Sequence, residues 1–537
     1  MNRKILLAVL TLAFILRFSH LGQNPPSLNW DEVSNAYNAY SILKTSRDEY
    51  GNFLPLTNRS FDDYKPLLYM YLNVPSVAVF DLTPFAVRFP SALFGTLTVL
   101  LVYFLTKKLF EKSVLPFTIN KSPFTVTHLA ALLLAVSPWH LQVSRAGFEA
   151  NVGLFFAVAA FTSFIYAILL SNKNTSLLIL SAILFGSSAY TYHSQRIFIP
   201  LMFLATILIY RKEIFTISKK YLAVFVTVLI LLAVPIVFLM PNEAVSQRFE
   251  SITLTSYTED VQKSVDFINE DETVKFPLAN LIHNRRVIIG IRYFKNYLAN
   301  FDPNFLFVKG DDNFRHHIEN MGMLYLWQLP LVLIGLYILI KERSKTSAFL
   351  IAWLVLSPVA AAPSNASPHA LRSLTMIIPF TIFSAAGFTQ IYNYLSFKKN
   401  FATFSFLIFT FSLFVYLHNY HIHYPRDFAS FWQYGYLDAA KKTERLKSQY
   451  EKINISADIE QAYIFWLFAT KYDPKTYQRS GSNLHFDKYY FKTEAPQNPD
   501  ELYVAGNLDD SFEKVETIYL PNGQKTIEIG YRKVKPI

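Results

Sequence analysis

The chain has 537 residues, of which 52% are hydrophobic, 16% aromatic and only 17% charged, and its mean hydropathy is +0.23. Apolar runs long enough to cross a bilayer recur along the first 420 positions, which excludes an ordinary soluble multidomain protein and indicates a polytopic membrane protein. The net charge of +11 is spread over short loops, so no nucleic-acid surface is expected. The lack of cysteine excludes disulfides and cysteine-ligated zinc, and it favours a prokaryotic plasma membrane.

The first apolar run has the charged start of a signal peptide. Only "GQNPPSLNW" follows it, with no small-residue cleavage site, so we expect an uncleaved first helix. Hydrophobicity then predicts about eleven transmembrane helices. They are placed near 4–21, 88–106, 125–141, 152–170, 175–192, 197–211, 221–240, 323–340, 346–362, 372–394 and 400–419.

Alternate connectors between these spans carry the lysines and arginines, such as Lys107/Lys108 and Arg211/Lys212. Placing the basic connectors in the cytoplasm satisfies the positive-inside rule, so the N-terminus is expected inside and the C-terminal region outside. The apolar piece 66–80 contains two prolines, and counting it as a span would invert every later loop. We therefore interpret it as a juxtamembrane or re-entrant helix on the outer face.

Two domains are predicted. Residues 1–420 form a transmembrane domain with a first outer loop at 22–87 and a long outer segment at 241–322. Residues 421–537 change character and predict a small extracytoplasmic α/β domain. Its C-terminal part reads as a hairpin, because Asn522-Gly523 is a strong two-residue turn between alternating strands.

The unusual charged residues collect on the predicted outer face. Asp31 and Glu32 follow the first span in "SLNWDEVSNAY". Ionisable groups beside a span cost free energy, so function is the first hypothesis for them. The other members are Arg17, Lys65, Arg88, Arg145, Glu149, His193, Arg196, His369 and Arg372.

Each of these residues also has a structural interpretation. The Asp31-Glu32 pair is typical of a helix N-terminus with acids in its first turn. Glu149 could pair with Arg145 across one helical turn, and Arg17 could be a snorkelling residue at a helix end. The histidines favour structural roles over metal ligation, and no metal site is predicted, although a divalent metal is left open.

Taken together, the residues indicate acid–base chemistry beside a bound anion. A carboxylate can deprotonate an acceptor hydroxyl while lysine and arginine stabilise a departing phosphate. The sequence has neither a Walker loop nor a G-x-G-x-x-G motif, which argues against a nucleotide donor. A donor presented outside the cytoplasm with its phosphate at the headgroup level would most simply be lipid-linked.

The motif order resembles the GT-C fold glycosyltransferases, and within them the protein O-mannosyltransferase and lipid A aminoarabinose transferase group. The resemblance rests on the acidic pair, then "KPLLYMYL", "AVRFPSALFG", "SPWHLQVSRAGFEAN" and "HALRSL". It covers about residues 1–400, is strongest over 25–150 and leaves the tail out. It implies an inverting transfer of a sugar from a polyprenyl-phosphate donor to an acceptor at the outer face.

On matching positions, the resemblance implies that Asp31 is the catalytic base, that Glu32 positions the acceptor or donor, and that Glu149 is a further functional acid. The residues expected at the donor phosphate are Lys65, Arg88, Arg17, Arg196 and Arg372. Two departures argue against aminoarabinose as the sugar: Tyr64 stands where those transferases have an acid, and "YHSQR" replaces a basic segment.

The sequence leaves two other function classes open. A surface-glycan polymerase or ligase shares the lipid-phosphate chemistry and differs in the size of donor and acceptor. A lipid-linked sugar transporter or flippase would carry charged groups within the spans, whereas here the spans are nearly free of acids. The glycosyltransferase hypothesis therefore predicts a polyprenyl-phosphate sugar, a protein, lipid or glycan acceptor and the membrane as partners, with no obligatory cofactor.

Overall fold

The computed structural model describes residues 3–61, 63–111, 113, 124–170, 175–239, 258–395 and 398–533. The beginning of the predicted long outer segment, residues 241–257, lies outside this described part.

A helix lies at each predicted span. Five of the helices in the described residues are long and apolar enough to cross a membrane alone, and a pair bent by 52° can form a sixth span. The chain is therefore a helix-rich protein of the multi-pass membrane type, while the count of eleven spans stays a prediction. The helices are Arg3–Phe18, Pro84–Phe110, Val126–Ala135 with Pro138–Arg145 (the bent pair), Glu149–Leu169, Thr175–Ala189, Gln195–Ile209, Lys219–Leu239, Gln328–Glu342, Lys345–Leu356, Ile377–Tyr394 and Lys398–His418.

Other helical elements lie in the connections between these helices. Leu68–Phe80 is helical, as the sequence predicts, and includes Pro75. A short hairpin, Asn58–Ser60 with Asp63–Lys65, precedes it. The remaining elements are Trp30–Thr45, Arg211–Ile214, Thr258–Thr273, Ala279–Ile282, Arg285–Ala299, Asn304–Val308, Ser357–Ala360, Leu374–Met376, Asn419–His423, Tyr424–Asp427 and Ala429–Trp432.

Close helix packing in the apolar part depends on two glycines. A Cβ at Gly335 would lie 2.0 Å from the Phe383 carbonyl oxygen, and one at Gly387 would lie 2.1 Å from the Leu331 carbonyl oxygen. The helices Gln328–Glu342 and Ile377–Tyr394 therefore meet at backbone distance, as small residues permit in membrane helix pairs.

The tail contains a six-stranded mixed sheet. Its order across the sheet is His485–Phe486, Tyr489–Thr493, Lys452–Ser456, Glu501–Ala505, Lys525–Arg532 and Phe512–Tyr519. Lys452–Ser456 runs parallel to both of its neighbours, and the last two strands form the predicted antiparallel hairpin, with Gly523 at a φ of 87° in its turn. The helices Tyr436–Leu446, Ala462–Thr470 and Pro474–Ser480 accompany the sheet.

The sheet domain packs on the helix Trp30–Thr45, hereafter the first-loop helix. The helix Ala462–Thr470 has the sequence AYIFWLFAT, which is apolar almost all round, and its core residues share one hydrophobic cluster with Val33, Ala36 and Tyr37. The Tyr37 hydroxyl also donates to the Tyr472 carbonyl at 3.0 Å. The sheet region of the tail thus buries one face of the helix that carries Asp31.

A carboxyl group is enclosed at the same interface. Glu49 is 2% exposed, and its Oε1 accepts from the Asn38 side-chain amide at 3.0 Å. Burial raises the pKa of Glu49 to about 8, although the bond from Asn38 opposes the shift. The neutral acid is therefore the form that the folded protein favours at this interface.

This pKa gives the stability a defined pH dependence. Between the ordinary glutamate value of about 4.3 and the folded value, the folded chain holds a proton that the unfolded chain releases. The Glu49 contribution to the free energy of unfolding is therefore complete at low pH and is lost as the pH rises toward 8. We expect Glu49→Gln to remove this loss. In thermal unfolding in detergent, the melting temperature of the variant should therefore rise relative to that of the wild type as the pH increases. The exposed Glu494→Gln is the control, and an equal pH response of all three proteins would contradict the assignment.

Candidate active site

The first-loop helix begins at a capping box that involves one of the two acids. The Asn29 side-chain oxygen accepts from the backbone N–H of Asp31 at 2.9 Å and of Glu32 at 3.1 Å. In return, Glu32 Oε2 accepts from the Asn29 backbone N–H at 3.1 Å. The cap hypothesis thus holds for Glu32, whereas the carboxylate of the preceding residue, Asp31, accepts from Lys65.

Glu32 is wholly buried and ion-paired with Arg88. Its Oε1 accepts from Arg88 Nε at 2.9 Å and from the Gly147 backbone N–H at 2.8 Å. A Cβ at position 147 would lie only 3.0 Å from Glu32 Cγ. Glycine at this position therefore lets the backbone N–H approach the Glu32 carboxylate closely. Glu32 therefore connects the start of the first-loop helix to the turn before helix Glu149–Leu169.

Arg88 has no N–H group left for a phosphate. Its five donors meet five acceptors: the two Glu32 oxygens and the carbonyls of Leu21, Pro25 and Ser27. The side chain is 0% exposed. The geometry supports a positioning role, in which Arg88 fixes the loop before the first-loop helix, and it does not support the expected contact with the donor.

Asp31, Lys65 and Glu149 form a second group, hereafter the acid–lysine cluster. Lys65 Nζ donates to Asp31 Oδ1, and the side chains are 10% and 37% exposed respectively. Burial by itself would lower the pKa of Lys65, but the Asp31 and Glu149 carboxylates outweigh it and raise that pKa, so Lys65 is a cation at neutral pH. The cluster combines a half-exposed carboxylate with an adjacent fixed positive charge.

Glu149 is held in this cluster by a chain of amides. Asn35, one turn along the first-loop helix, donates to Glu149 Oε1 at 3.1 Å, and Asn58 donates to the Asn35 oxygen at 2.7 Å. The alternative pairing of Glu149 with Arg145 is not observed. Arg145 instead donates to the Tyr420 hydroxyl and to four backbone carbonyls, those of Leu16, Arg17, Ser19 and Asn24.

Arg17 is used in helix packing. Its guanidinium donates to the carbonyls of Ala13, Leu134 and Ala135 and lies 2.7 Å from His140 Nδ1. These contacts fix the bend between the paired helices Val126–Ala135 and Pro138–Arg145. The side chain is 0% exposed, and the structure does not bring it to the acid–lysine cluster.

Arg196 and Arg372 lie in different surroundings. Arg196 Nε donates to the Ala189 carbonyl, and the next carbonyl, of Tyr190, accepts from the Leu68 backbone N–H at 3.0 Å. The turn before Arg196 therefore borders the start of the helix that follows Lys65. Arg372 lies beside His369, with a buried Nη1 that has no hydrogen-bond partner in the described residues.

One basic residue at the site was not among those predicted from the sequence. The Arg315 guanidinium lies 5.9 Å from the ring centroid of Trp30, the residue before Asp31. Its backbone carbonyl accepts from Gln142 at 3.0 Å, which anchors the segment to the bent pair. The available signal was the polar run "GDDNFRHH" at 310–317, which places two acids, an arginine and two histidines together in a largely apolar chain.

The same run contributes a group that could hold a metal ion. Ligand atoms of Asp311, His316 and His369 all lie within 4.8 Å of one another. The sequence predicted no metal site, and His369 was interpreted as a single histidine. Its neighbours in space, Asp311 and His316, lie more than 50 positions earlier in the chain.

Comparisons with known proteins agree with the fold. The family of dolichyl-phosphate-mannose-protein mannosyltransferases matches residues 64–238. ArnT from Cupriavidus metallidurans, solved with undecaprenyl phosphate, superposes with a TM-score of 0.54 at 11% identity, covering 98% of both chains. The Archaeoglobus fulgidus oligosaccharyltransferase, solved with zinc and sulfate, gives a TM-score of 0.51 at 15% identity, covering 87% of this chain and 61% of that one. No curated protein matches the sequence.

These likenesses define the class of the molecule. The chain has the fold of the GT-C membrane glycosyltransferases, which confirms the resemblance drawn from its motifs. It spans about three-fifths of the archaeal oligosaccharyltransferase that it resembles. The family match includes Lys65, Arg88, Glu149 and Arg196, and it begins after Asp31.

The two neighbouring acids, Asp31 and Glu32, are expected to contribute differently to the free energy of unfolding. Glu32→Gln leaves Arg88 buried without its counter-charge, which costs about 3–5 kcal/mol. Asp31→Asn leaves the buried Lys65 with Glu149 as a remaining counter-charge, so its cost should be smaller than that of Glu32→Gln. Thermal unfolding of both variants in the same detergent measures the difference. Equal melting temperatures for the two variants would contradict the division of roles.

Proposed function

We propose that the chain is an integral-membrane glycosyltransferase that moves a sugar from a polyprenyl-phosphate donor to an acceptor hydroxyl on the extracytoplasmic face. The observation that carries the proposal is the acid–lysine cluster, a half-exposed carboxylate in contact with a buried lysine cation. Residues 1–420 would form the catalytic domain, with a cytoplasmic N-terminus, and 421–537 an outer domain. The ArnT and mannosyltransferase likenesses support a lipid-phosphate donor.

Asp31 would act as the general base. Its carboxylate accepts the hydroxyl proton of the acceptor as the acceptor oxygen attacks the anomeric carbon. The bond from that carbon to the phosphate oxygen breaks, and polyprenyl phosphate leaves with the electron pair. Attack from the side opposite the phosphate inverts the configuration of the sugar.

Lys65 would couple donor binding to this step. Without donor, its ammonium group donates to Asp31 and lowers the tendency of the carboxylate to take a proton. A donor phosphate that draws Lys65 toward itself would relieve this effect, so Asp31 becomes more basic when the donor is in place. Arg315, beside Trp30, is the second basic group that we place near the phosphate.

The remaining predicted residues divide into two sets. Glu149 would orient the acceptor or hold Lys65, since its carboxylate acts on that lysine and is fixed by Asn35. The turn before Arg196 borders the start of the helix that follows Lys65, and Arg196 stays a proposed phosphate contact. Glu32 and Arg88 would support the site by fixing the first-loop helix.

The base assignment is tested by transfer in proteoliposomes. The purified protein is supplied with a panel of polyprenyl-phosphate hexoses, beginning with mannose, and with hydroxyl-bearing peptide, lipid and glycan acceptors. Asp31→Asn is expected to lower the transfer rate by about 10²–10⁴-fold. Asp81→Asn, an exposed acid paired with Lys471, is the matched control and should keep the wild-type rate. Wild-type transfer by Asp31→Asn would refute the assignment.

The coupling through Lys65 predicts a change in the pH profile. Lys65→Met removes the cation that stabilises ionised Asp31, so the acid limb of the rate profile should move to higher pH and the apparent donor KM should rise. Rates measured across pH at saturating and limiting donor separate the two effects. An unchanged acid limb together with an unchanged KM would exclude both roles of Lys65.

A further inference from the structure

Asp311, His316 and His369 converge from two separate segments of the outer face. Asp311 and His316 lie in the run 310–317, and His369 follows Pro368 in the loop before helix Ile377–Tyr394. Asp311 and His316 are buried, at 6% and 4% exposure, and His369 is partly exposed. The geometry therefore encloses one carboxylate and two imidazoles in a largely dry position.

Hydrogen bonding accounts for only part of this arrangement. His316 Nδ1 lies 3.0 Å from Asp311 Oδ2, which also accepts from the Ala370 backbone N–H at 2.6 Å. The ring centroids of His316 and His369 are 5.0 Å apart at 39°. No hydrogen bond in the described residues joins the His369 ring to either of the other two side chains. A shared partner for all three groups would explain why the second imidazole approaches so closely.

We propose that Asp311, His316 and His369 bind a divalent transition-metal cation, zinc by the nature of the ligands. Two histidine nitrogens and one carboxylate oxygen are a donor set that zinc takes with three protein ligands and one further position. The ligand atoms already lie within 4.8 Å of one another, so small side-chain rotations would bring them to bonding distance. The site goes beyond the proposed transfer reaction and does not depend on it.

The position of the site suggests what the metal would do. His316 packs edge-on against Phe148 at 5.7 Å between ring centroids, and Phe148 precedes Glu149. Arg315 is the residue before the proposed ligand His316, and its guanidinium lies over the ring of Trp30. A metal that ties this run to the loop holding His369 would therefore fix Arg315 next to the acid–lysine cluster. Arg372, beside His369, adds positive charge, which suits the open metal position to an anionic ligand.

Metal content and a spectroscopic probe test the proposal without any assay of transfer. The full chain is purified with a histidine-free tag, incubated with zinc chloride, desalted and analysed for metal. We expect about one zinc per chain in the wild type, and less than about a tenth of that in His369→Ala and in Asp311→Asn. The adjacent His317→Ala is the matched control and should retain the wild-type content, because His317 is outside the ligand group.

Cobalt(II) provides a second readout that needs no variant. The wild-type protein loaded with cobalt is expected to show the visible absorption bands of a four- or five-coordinate site, which zinc then displaces. Size-exclusion profiles establish that each compared protein is folded. Absence of bound zinc and of cobalt bands in the folded wild type would overturn the proposal, as would wild-type zinc content in folded His369→Ala. In either case the three residues form only a hydrogen-bonded structural cluster.

Discussion

The buried ion pair between Glu32 and Arg88 is the contact on which the arrangement of the site depends. It joins the start of the first-loop helix to the helix Pro84–Phe110, and through Gly147 to the turn before Glu149. A pair this deeply buried adds little net stability, but the loss of one partner is costly because the other charge remains desolvated. The pair therefore sets where Asp31 can lie, since Asp31 precedes Glu32 on the same helical turn.

Around this pair the acids and bases separate into two environments. Four of the charged side chains are buried, and backbone carbonyls and other side chains occupy nearly all of their hydrogen-bonding groups. They connect loops to helix ends, and they are Glu32, Arg88, Arg145 and Arg17. Asp31 and Lys65 keep partial access to the outside and contact each other. Proton exchange and phosphate binding require such access, so the proposed chemistry is assigned to Asp31 and Lys65.

The sheet region of the tail contacts the helix that carries Asp31. Its helix Ala462–Thr470 and the first-loop helix share one hydrophobic cluster, and Glu49 is enclosed between them. A motion of the sheet region would therefore move the first-loop helix, which carries Asp31 in its first turn. Arg315 and His316 approach the start of the same helix from the run 310–317, and His369 joins that run from the loop before helix Ile377–Tyr394.

The sequence by itself determined the membrane class, the helix positions, the GT-C resemblance and the candidate acids, because long apolar runs and charges beside them are local signals. It also indicated the Asn522-Gly523 hairpin and the helix cap. Only the tertiary structure decided which arginines can bind a ligand. Arg17 and Arg88 donate their N–H groups to backbone carbonyls of distant segments. The same holds for Arg315 and for the meeting of His316 with His369, since their partners lie far away along the chain. Local sequence records a residue's chemistry, whereas its hydrogen-bond saturation depends on long-range packing.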